Sequence, residues 1–414
     1  MKRFILLFAM AGLACLFTGT AFGNILNVPT AEYPTIQAGI EAATSGDTVQ
    51  VAAGTYQETI TMKSGVTIQG AGQGVSIIDG QEKGHVVTAN SVDSAATLDG
   101  FTITNGRSFA GGGMYIVDSS PTVSHCTFSG NTASTQIGGG IYNANSSPTV
   151  TYCIFSGNSA GKYGGGMANS NNSSPTVTNC TFSGNSAIFI DYSYAGGGGG
   201  MFNMTNSSPT VENCTFSGNT AMLGGGIANF DSSSPTVTNC IFSGNPVNYN
   251  GGGMANYSSS APTVTNCTFS ANTVNAQGGG MWNSQSSPTL TNCILWNDSP
   301  NEISGYSSAP TVTYSDIQGG YSGTGNLMAD PMFADSANAD FHLTKNSPCI
   351  DAGLNSAPAL PVTDIDGDDR KIDDPKVVDT GSGTPPIVDI GADEFVLKVK
   401  SIPAIPSLLL NGNN

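Results

Sequence analysis

The chain has 414 residues, 54 of them Gly; 10% of residues are charged and 38% hydrophobic. Glycine is thus about twice as frequent as the usual ~7%, and charge is well under the usual ~25%, yet there is no Gly-X-Y period and no A/E/K/L/R-rich stretch, which excludes collagen and coiled coil. A net charge of −17 repels the phosphate backbone, so no nucleic-acid partner is expected, and acidic surfaces are excluded unless cations bridge.

Residues 1–23 read as a signal peptide. Lys2 and Arg3 precede an apolar run from Phe4 to Phe17, and Ala21-Phe22-Gly23 is a small-x-small cleavage site. The run is too short to span a bilayer, and no later segment is long and apolar enough to do so. A secreted or cell-surface protein with no transmembrane segment is expected, as a monomer. Residues 24–104 form an N-terminal cap and first coils, 105–330 a repeat region, 331–396 a C-terminal cap and 397–414 a tail.

Internal repetition dominates the sequence. One unit reads SSPTVTNC[TI]FSGN, a variable stretch, then GGG[MI]xN. Its markers are Cys126, Cys153, Cys180, Cys214, Cys240, Cys267 and Cys293, spaced 27, 27, 34, 26, 27 and 26 residues apart. Gly, Ser, Asn, Thr and Pro interrupt every few residues, so no run with a 3.6-residue period exists; short strands between turns remain. Within one unit Val150, Cys153 and Phe155 fall inward, and Thr149, Thr151 and Ile154 outward. The residue at the phase break, Asn or its substitutes His125 and Tyr152, is read as a corner, and His125 there as structural. A unit this small cannot bury a core alone, so units must stack. The expected fold is all-β, a parallel β-solenoid with one unit per coil and ~4.8 Å between coils. Stacking then makes a Cys row, a Phe row, a Met/Ile row and a row of corner Asn side chains that bond to each other. Parallel Cβ vectors disfavour disulfides in the Cys row, which is read as reduced and buried.

These residues resemble the right-handed parallel β-helix of pectate-lyase-like proteins. The GGG[MI] and F-x-x-N elements are similar to the GGA[ILV] and FxxN repeats of polymorphic outer-membrane proteins, which act as adhesins. Tyr33-Pro34-Thr35-Ile36-Gln37, Gly46-Asp47-Thr48-Val49, Gly54-Thr55-Tyr56 and Val66-Thr67-Ile68-Gln69-Gly70 resemble the N-terminal coils of secreted β-helices, which implies a short capping helix followed by strands. Ser347-Pro348-Cys349-Ile350-Asp351-Ala352-Gly353, Asp364-Ile365-Asp366-Gly367-Asp368 and Asp389-Ile390-Gly391-Ala392-Asp393-Glu394-Phe395 resemble the closing region of choice-of-anchor surface proteins. About 10–12 coils are expected, at ~4.8 Å each.

Catalysis finds little support in the repeat. A lyase needs a base and carboxylates that hold calcium, and a hydrolase needs two paired carboxylates. Between 105 and 315 the bases are Arg107 and Lys162. The acids Asp118, Asp191, Glu212, Asp231, Asp298 and Glu302 occupy different phases of the repeat and are not expected to converge. The variable stretch before each glycine triad instead places Arg107, Phe109, Lys162, Tyr163, Phe189, Asp191, Tyr192, Tyr194 and Tyr249 on one edge, the candidate ligand-binding residues. The position after GGG[MI] (Tyr115, Tyr142, Ala168, Phe202, Ala228, Ala255, Trp282) is expected to face outward. Asp364, Asp366, Asp368 and Asp369 form a hard-oxygen cluster suited to calcium; no cofactor is required. The first reading is an exported, non-catalytic adhesin-like or structural protein that binds glycan or cell-surface material along the loop edge. A carbohydrate-active enzyme of polysaccharide lyase or hydrolase type is the alternative, and a ligand-free surface spacer the second.

Overall fold

The computed structural model describes residues 23–187 and 196–396. The leader up to 22, the tail from 397 and loop residues 188–195 lie outside them.

Each repeat folds as its alternation dictates. In Thr149–Thr151, Val150 points inward; Tyr152 then adopts φ 53°, a left-handed turn that also aims Cys153 inward. Asn, His or Tyr holds this turn in seven successive coils, with φ between 46° and 55° from His125 to Asn292. Asn is the residue that best tolerates this region after Gly. Ile154–Ser156 follows with Phe155 buried, then a glycine turn and a two-residue strand, Ser159–Ala160. The glycine triad then leads into Met167–Ser170.

Stacked in register, these strands make four parallel sheets. Among the described residues a Val sheet has 12 strands, from Ile25–Val28 to Thr311–Thr313. A Phe sheet has 11, a Met sheet 10 and a short sheet 7. The coils run as a right-handed solenoid of about ten turns. The short sheet is the element that the sequence pattern did not announce: five of its seven strands have two residues, too few to carry a readable period. At the N-terminus the helix Ile36–Ala42 lies over the first coil, with Thr35 Oγ1 accepting from the Ala38 N–H. A Cβ on Gly39 would stand 2.9 Å from both Val28 and Val49, so glycine sets how closely the helix packs.

The core is a set of rows. Phe128, Phe155, Phe182, Phe216, Phe242 and Phe269 stack with ring centroids 4.4–5.1 Å apart and planes within 8°. The eight described cysteines are buried free thiols, and burial pushes those of Cys153, Cys214, Cys240 and Cys293 upward. The triad glycines make room for these rows. A Cβ on Gly139 would meet the Gly165 and Ser159 carbonyl oxygens at 2.5 Å, and one on Gly140 would meet the Phe155 ring at 3.0 Å.

Polar rows satisfy the corners. Asn131 donates through Nδ2 to Asn158 Oδ1 (3.0 Å) and to the Ile103 carbonyl (2.9 Å), and the pattern repeats as far as Asn272. A second row joins Asn143 to Asn283 at 2.7–2.9 Å per step. In a third, the Ser119 N–H donates to Ser146 Oγ, and so on to Ser286. The first Asn row ends on an acid: Asn272 donates to Asp298 Oδ1 from its backbone N–H (2.7 Å) and from Nδ2 (2.8 Å). Glu302 lies beside it, accepting from the Asp298 N–H at 3.1 Å. The expectation that the repeat acids stay apart therefore fails for Asp298 and Glu302. The irregular turn Asn297–Glu302 closes the final full coil and folds both side chains inward, where the two carboxyls bond to each other and Asp298 Oδ2 and Glu302 Oε2 meet no N–H donor.

The Met-sheet column also departs from expectation. Ala168, Phe202 and Ala228 point away from the core as expected, but they and Ala255 are covered instead of exposed. The variable loops fold over this face, where Tyr163 stacks on Phe202 at 4.3 Å and Phe202 in turn meets Phe230 at 5.4 Å.

Residues 331–396 run back along the flank of the solenoid. Asn239 Nδ2 donates to the Thr363 carbonyl, Asn266 Nδ2 to those of Asp389 and Gly391, and Asn292 Nδ2 to that of Leu354. The left-handed corner residues of three late coils thus become the docking row for the segment. Arg370, fully buried, completes the joint by donating to Asn239 Oδ1 (2.6 Å) and to the Ala392 and Asp393 carbonyls.

Candidate functional site

Where the returning segment stops short of the earlier coils, a cleft of about 370 Å³ remains. The solenoid supplies Asn179, Thr181, Asn213, Thr215 and Ile241; the segment supplies Phe341, His342, Ile365, Asp366 and Asp393. Both walls follow from local geometry. Asn179 and Asn213 are the left-handed corner residues two coils and one coil before the docked Asn239. His342 lies on the strand Asp340–Leu343, which pairs antiparallel with Phe333–Asp335.

His342 is held between carboxylates. Its Nδ1 meets Asp340 Oδ1 at 2.5 Å and its Nε2 meets Asp366 Oδ2 at 2.6 Å. Both ring nitrogens donate, so the ring is an imidazolium. The hydrogen bond to Asp340, with those to Asp366 and the charge of Asp393, pushes its pKa up to about 9 against the opposing effect of burial. Asp393, 8% exposed, accepts from the Leu343 N–H at 2.9 Å, and burial pushes it up to about 6. Ligand atoms of His342, Asp366 and Asp393 lie within 4.8 Å of one another.

The corner row continues outside the cleft as an aromatic platform. Tyr152, 54% exposed, stacks on His125 with centroids 5.2 Å apart and planes 2° apart. His125 Nδ1 is fixed by Asp99 at 2.8 Å. His125 is thus tied to Asp99 and also exposed at the corner.

The residues singled out in the sequence are dispersed. Arg107 is exposed and 3.6 Å from Glu82. Phe109 (64% exposed) and Tyr249 (43%) stand out from the loop edge, while Lys162 and Tyr163 are half-buried, Tyr163 against Phe202. Phe189, Asp191, Tyr192 and Tyr194 lie outside the described residues. The four acids read as a calcium cluster do not gather around one point. Asp364 is buried, and its carboxylate accepts from the N–H groups of Asp366, Asp368 and Glu394. It staples a turn; Asp366 turns to His342, and Asp368 and Asp369 are exposed. Sequence reasoning missed His342, Asp393, Asn179 and Asn213. Only the corner Asn pattern carried a signal for any of them.

A family model described as "Right handed beta helix region" matches residues 54–240 and 193–317, more than half of the chain. Among solved structures, pectate lyase Pel9A superposes with TM-score 0.51 at 16% identity, over 86% of this chain and 90% of its own. The tailspike gp49 of Acinetobacter baumannii bacteriophage Fri1, a capsular polysaccharide depolymerase, gives 0.43 at 15% identity over 74% and 61%. A pectin methylesterase from Yersinia enterocolitica gives 0.33 at 10% identity over 62% and 90%. At such identities the likeness is one of fold. No curated protein matches the sequence. No described helix is long and apolar enough to cross a membrane. On the match across its coils, the chain belongs to the right-handed β-helix family.

Proposed function

We propose that this is an exported β-helix protein that binds a glycan along its corner row without cleaving it. The observation that carries the reading is the continuity of that row: the flat His125–Tyr152 stack, then Asn179 and Asn213, then the cleft with His342 and Asp366. Aromatic faces suit the apolar faces of sugar rings, amides suit hydroxyls, and coils ~4.8 Å apart present these groups periodically along an extended chain. The net charge of −17 and the cleft carboxylates favour a neutral or amino-sugar glycan over a polyuronate. His342 is tied up between two carboxylates and protonated near neutral pH, so it is not a free base. Export rests on the leader at 1–23, and the adhesin-like role rests on the repeat pattern. The enzyme reading retains one specific observation, the grouping of Asp366 and Asp393 with His342 in a cleft.

A glycan array on the purified chain, scored for bound sugar and for released product, tests the proposal. Binding without product is expected, and Tyr152→Ala should weaken it several-fold, as ~0.5–1.5 kcal/mol per aromatic contact implies. Turnover abolished by Asp366→Asn would establish the enzyme reading. Binding that ignores Tyr152→Ala but is weakened by Phe109→Ala and Tyr249→Ala would move the site to the loop edge.

A further inference from the structure

A second acidic group lies within the returning segment, apart from the cleft. Asp351, Asp373 and Asp379 place carboxylate oxygens within 4.8 Å of one another. Asp373 and Asp379 are exposed, on the loop between Ile372 and Thr380. Asp351 sits just beneath them with no exposed surface, and its two carboxylate oxygens lack a well-formed hydrogen bond, with the Asp374 N–H as the one backbone donor turned toward them.

Such a pair of oxygens is anomalous. A buried carboxylate without partners costs several kcal/mol unless it is protonated, paired or bound to a metal. Elsewhere in the segment buried acids are used: Asp364 accepts three backbone N–H groups, and Asp389 accepts from the N–H groups of Asp351 and Phe395. Among the described residues no Lys or Arg forms an ion pair with Asp351, Asp373 or Asp379. The backbone is nonetheless set: the Asp351 carbonyl accepts from the N–H groups of Thr380 (2.9 Å) and Gly381 (3.0 Å), which fixes the end of the loop against Asp351.

We propose that Asp351, Asp373 and Asp379 form a calcium site that ties the 373–379 loop to the body of the C-terminal segment. The donor set is all carboxylate oxygen, which suits a hard cation rather than a thiolate- or imidazole-seeking metal. Calcium takes oxygens at ~2.3–2.6 Å, so one ion spans up to about 5 Å between opposite ligands, enough to touch all three residues. It also tolerates irregular geometry from a loop, whereas magnesium demands near-octahedral ligands and keeps its waters. The site differs from the Asp364–Asp369 acids, of which Asp364 is already committed to backbone.

The test is calorimetric titration of the full chain with calcium chloride at pH 7.5, repeated with magnesium chloride. Asp373→Asn with Asp379→Asn changes exposed residues only, and circular dichroism checks that it folds. The expected result is calcium uptake by the parent protein that weakens at least tenfold in this variant and persists in His342→Ala. No uptake by the parent, uptake unchanged in the double variant, or magnesium binding as tightly as calcium would each overturn the assignment.

Discussion

Replacing Asp298 with Asn should stabilise the solenoid at alkaline pH. Asp298 occupies the next place in the row that Asn131 to Asn272 define, and its Oδ1 already accepts what an Asn would accept. Its Oδ2 stands where the others present an amide; Asn272 Nδ2, for example, donates to the Phe242 carbonyl at 2.9 Å. Only a protonated acid can imitate that donor. Burial, the largest cause, raises Asp298 from 3.8 to about 7. Below pH ~4 folded and unfolded chains are both protonated, and the acid costs nothing. Between about 4 and 7 the folded chain holds a proton that the unfolded chain has lost, so stability falls by ~1.4 kcal/mol per pH unit. Above 7 the loss levels at about 4 kcal/mol, an upper bound because Glu302 shares the proton. Guanidinium unfolding of both proteins at pH 5 and pH 8 reads this directly. The advantage of Asp298→Asn should widen by roughly 3 kcal/mol between the two. An advantage independent of pH, or a variant less stable at pH 8, would refute the ladder-donor argument.

Other expectations follow from the same geometry. Gly226→Ala would set a Cβ 2.5 Å from the Gly253 oxygen and 2.6 Å from the Phe242 ring, costing about 1–3 kcal/mol or more in denaturant melts. Arg370→Ala removes the buried cation between Asn239 and the Ala392 and Asp393 carbonyls; about 3–5 kcal/mol is expected, read as early proteolysis of 331–396 while the coils stay resistant. The eight described cysteines should resist alkylation in the native state and react only after unfolding, because burial excludes the reagent. His342 has a raised pKa, so its contribution is complete below its ordinary 6.5 and is lost as pH climbs through about 9. Protease sensitivity of the returning segment should therefore rise between pH 7 and 10, and His342→Gln should abolish that dependence.

The coils were legible because one unit explains every other. Val150, Cys153 and Phe155 could be placed inward from a single repeat, and stacking multiplied the result. The corner at Tyr152 and its Asn equivalents was legible too, since the side-chain phase breaks there. The cleft was not. Its walls join Asn213 to His342 and Asn239 to Thr363, pairs separated by more than a hundred residues with no shared period. The roles within the Asp364–Asp369 run were hidden for a related reason: proximity in sequence cannot show that backbone N–H groups already bond to the Asp364 carboxylate. The cover over the outward Met-sheet column was not legible because the loops that form it differ from coil to coil.

The return of the C-terminal segment along the flank also makes it a gauge. It grips the rod at Asn239, Asn266 and Asn292, three consecutive corners whose separation is fixed by coil pitch. Upstream, between Cys126 and Cys214, each coil meets its neighbour through the same interlocking rows, so a whole unit gained or lost there leaves every joint re-formable. Within the gripped stretch the same change would slide the docking contacts out of step by one coil. Gene duplication is thus free to lengthen one portion of the rod and barred from another, and the platform at His125 and Tyr152 lies in the portion that can travel.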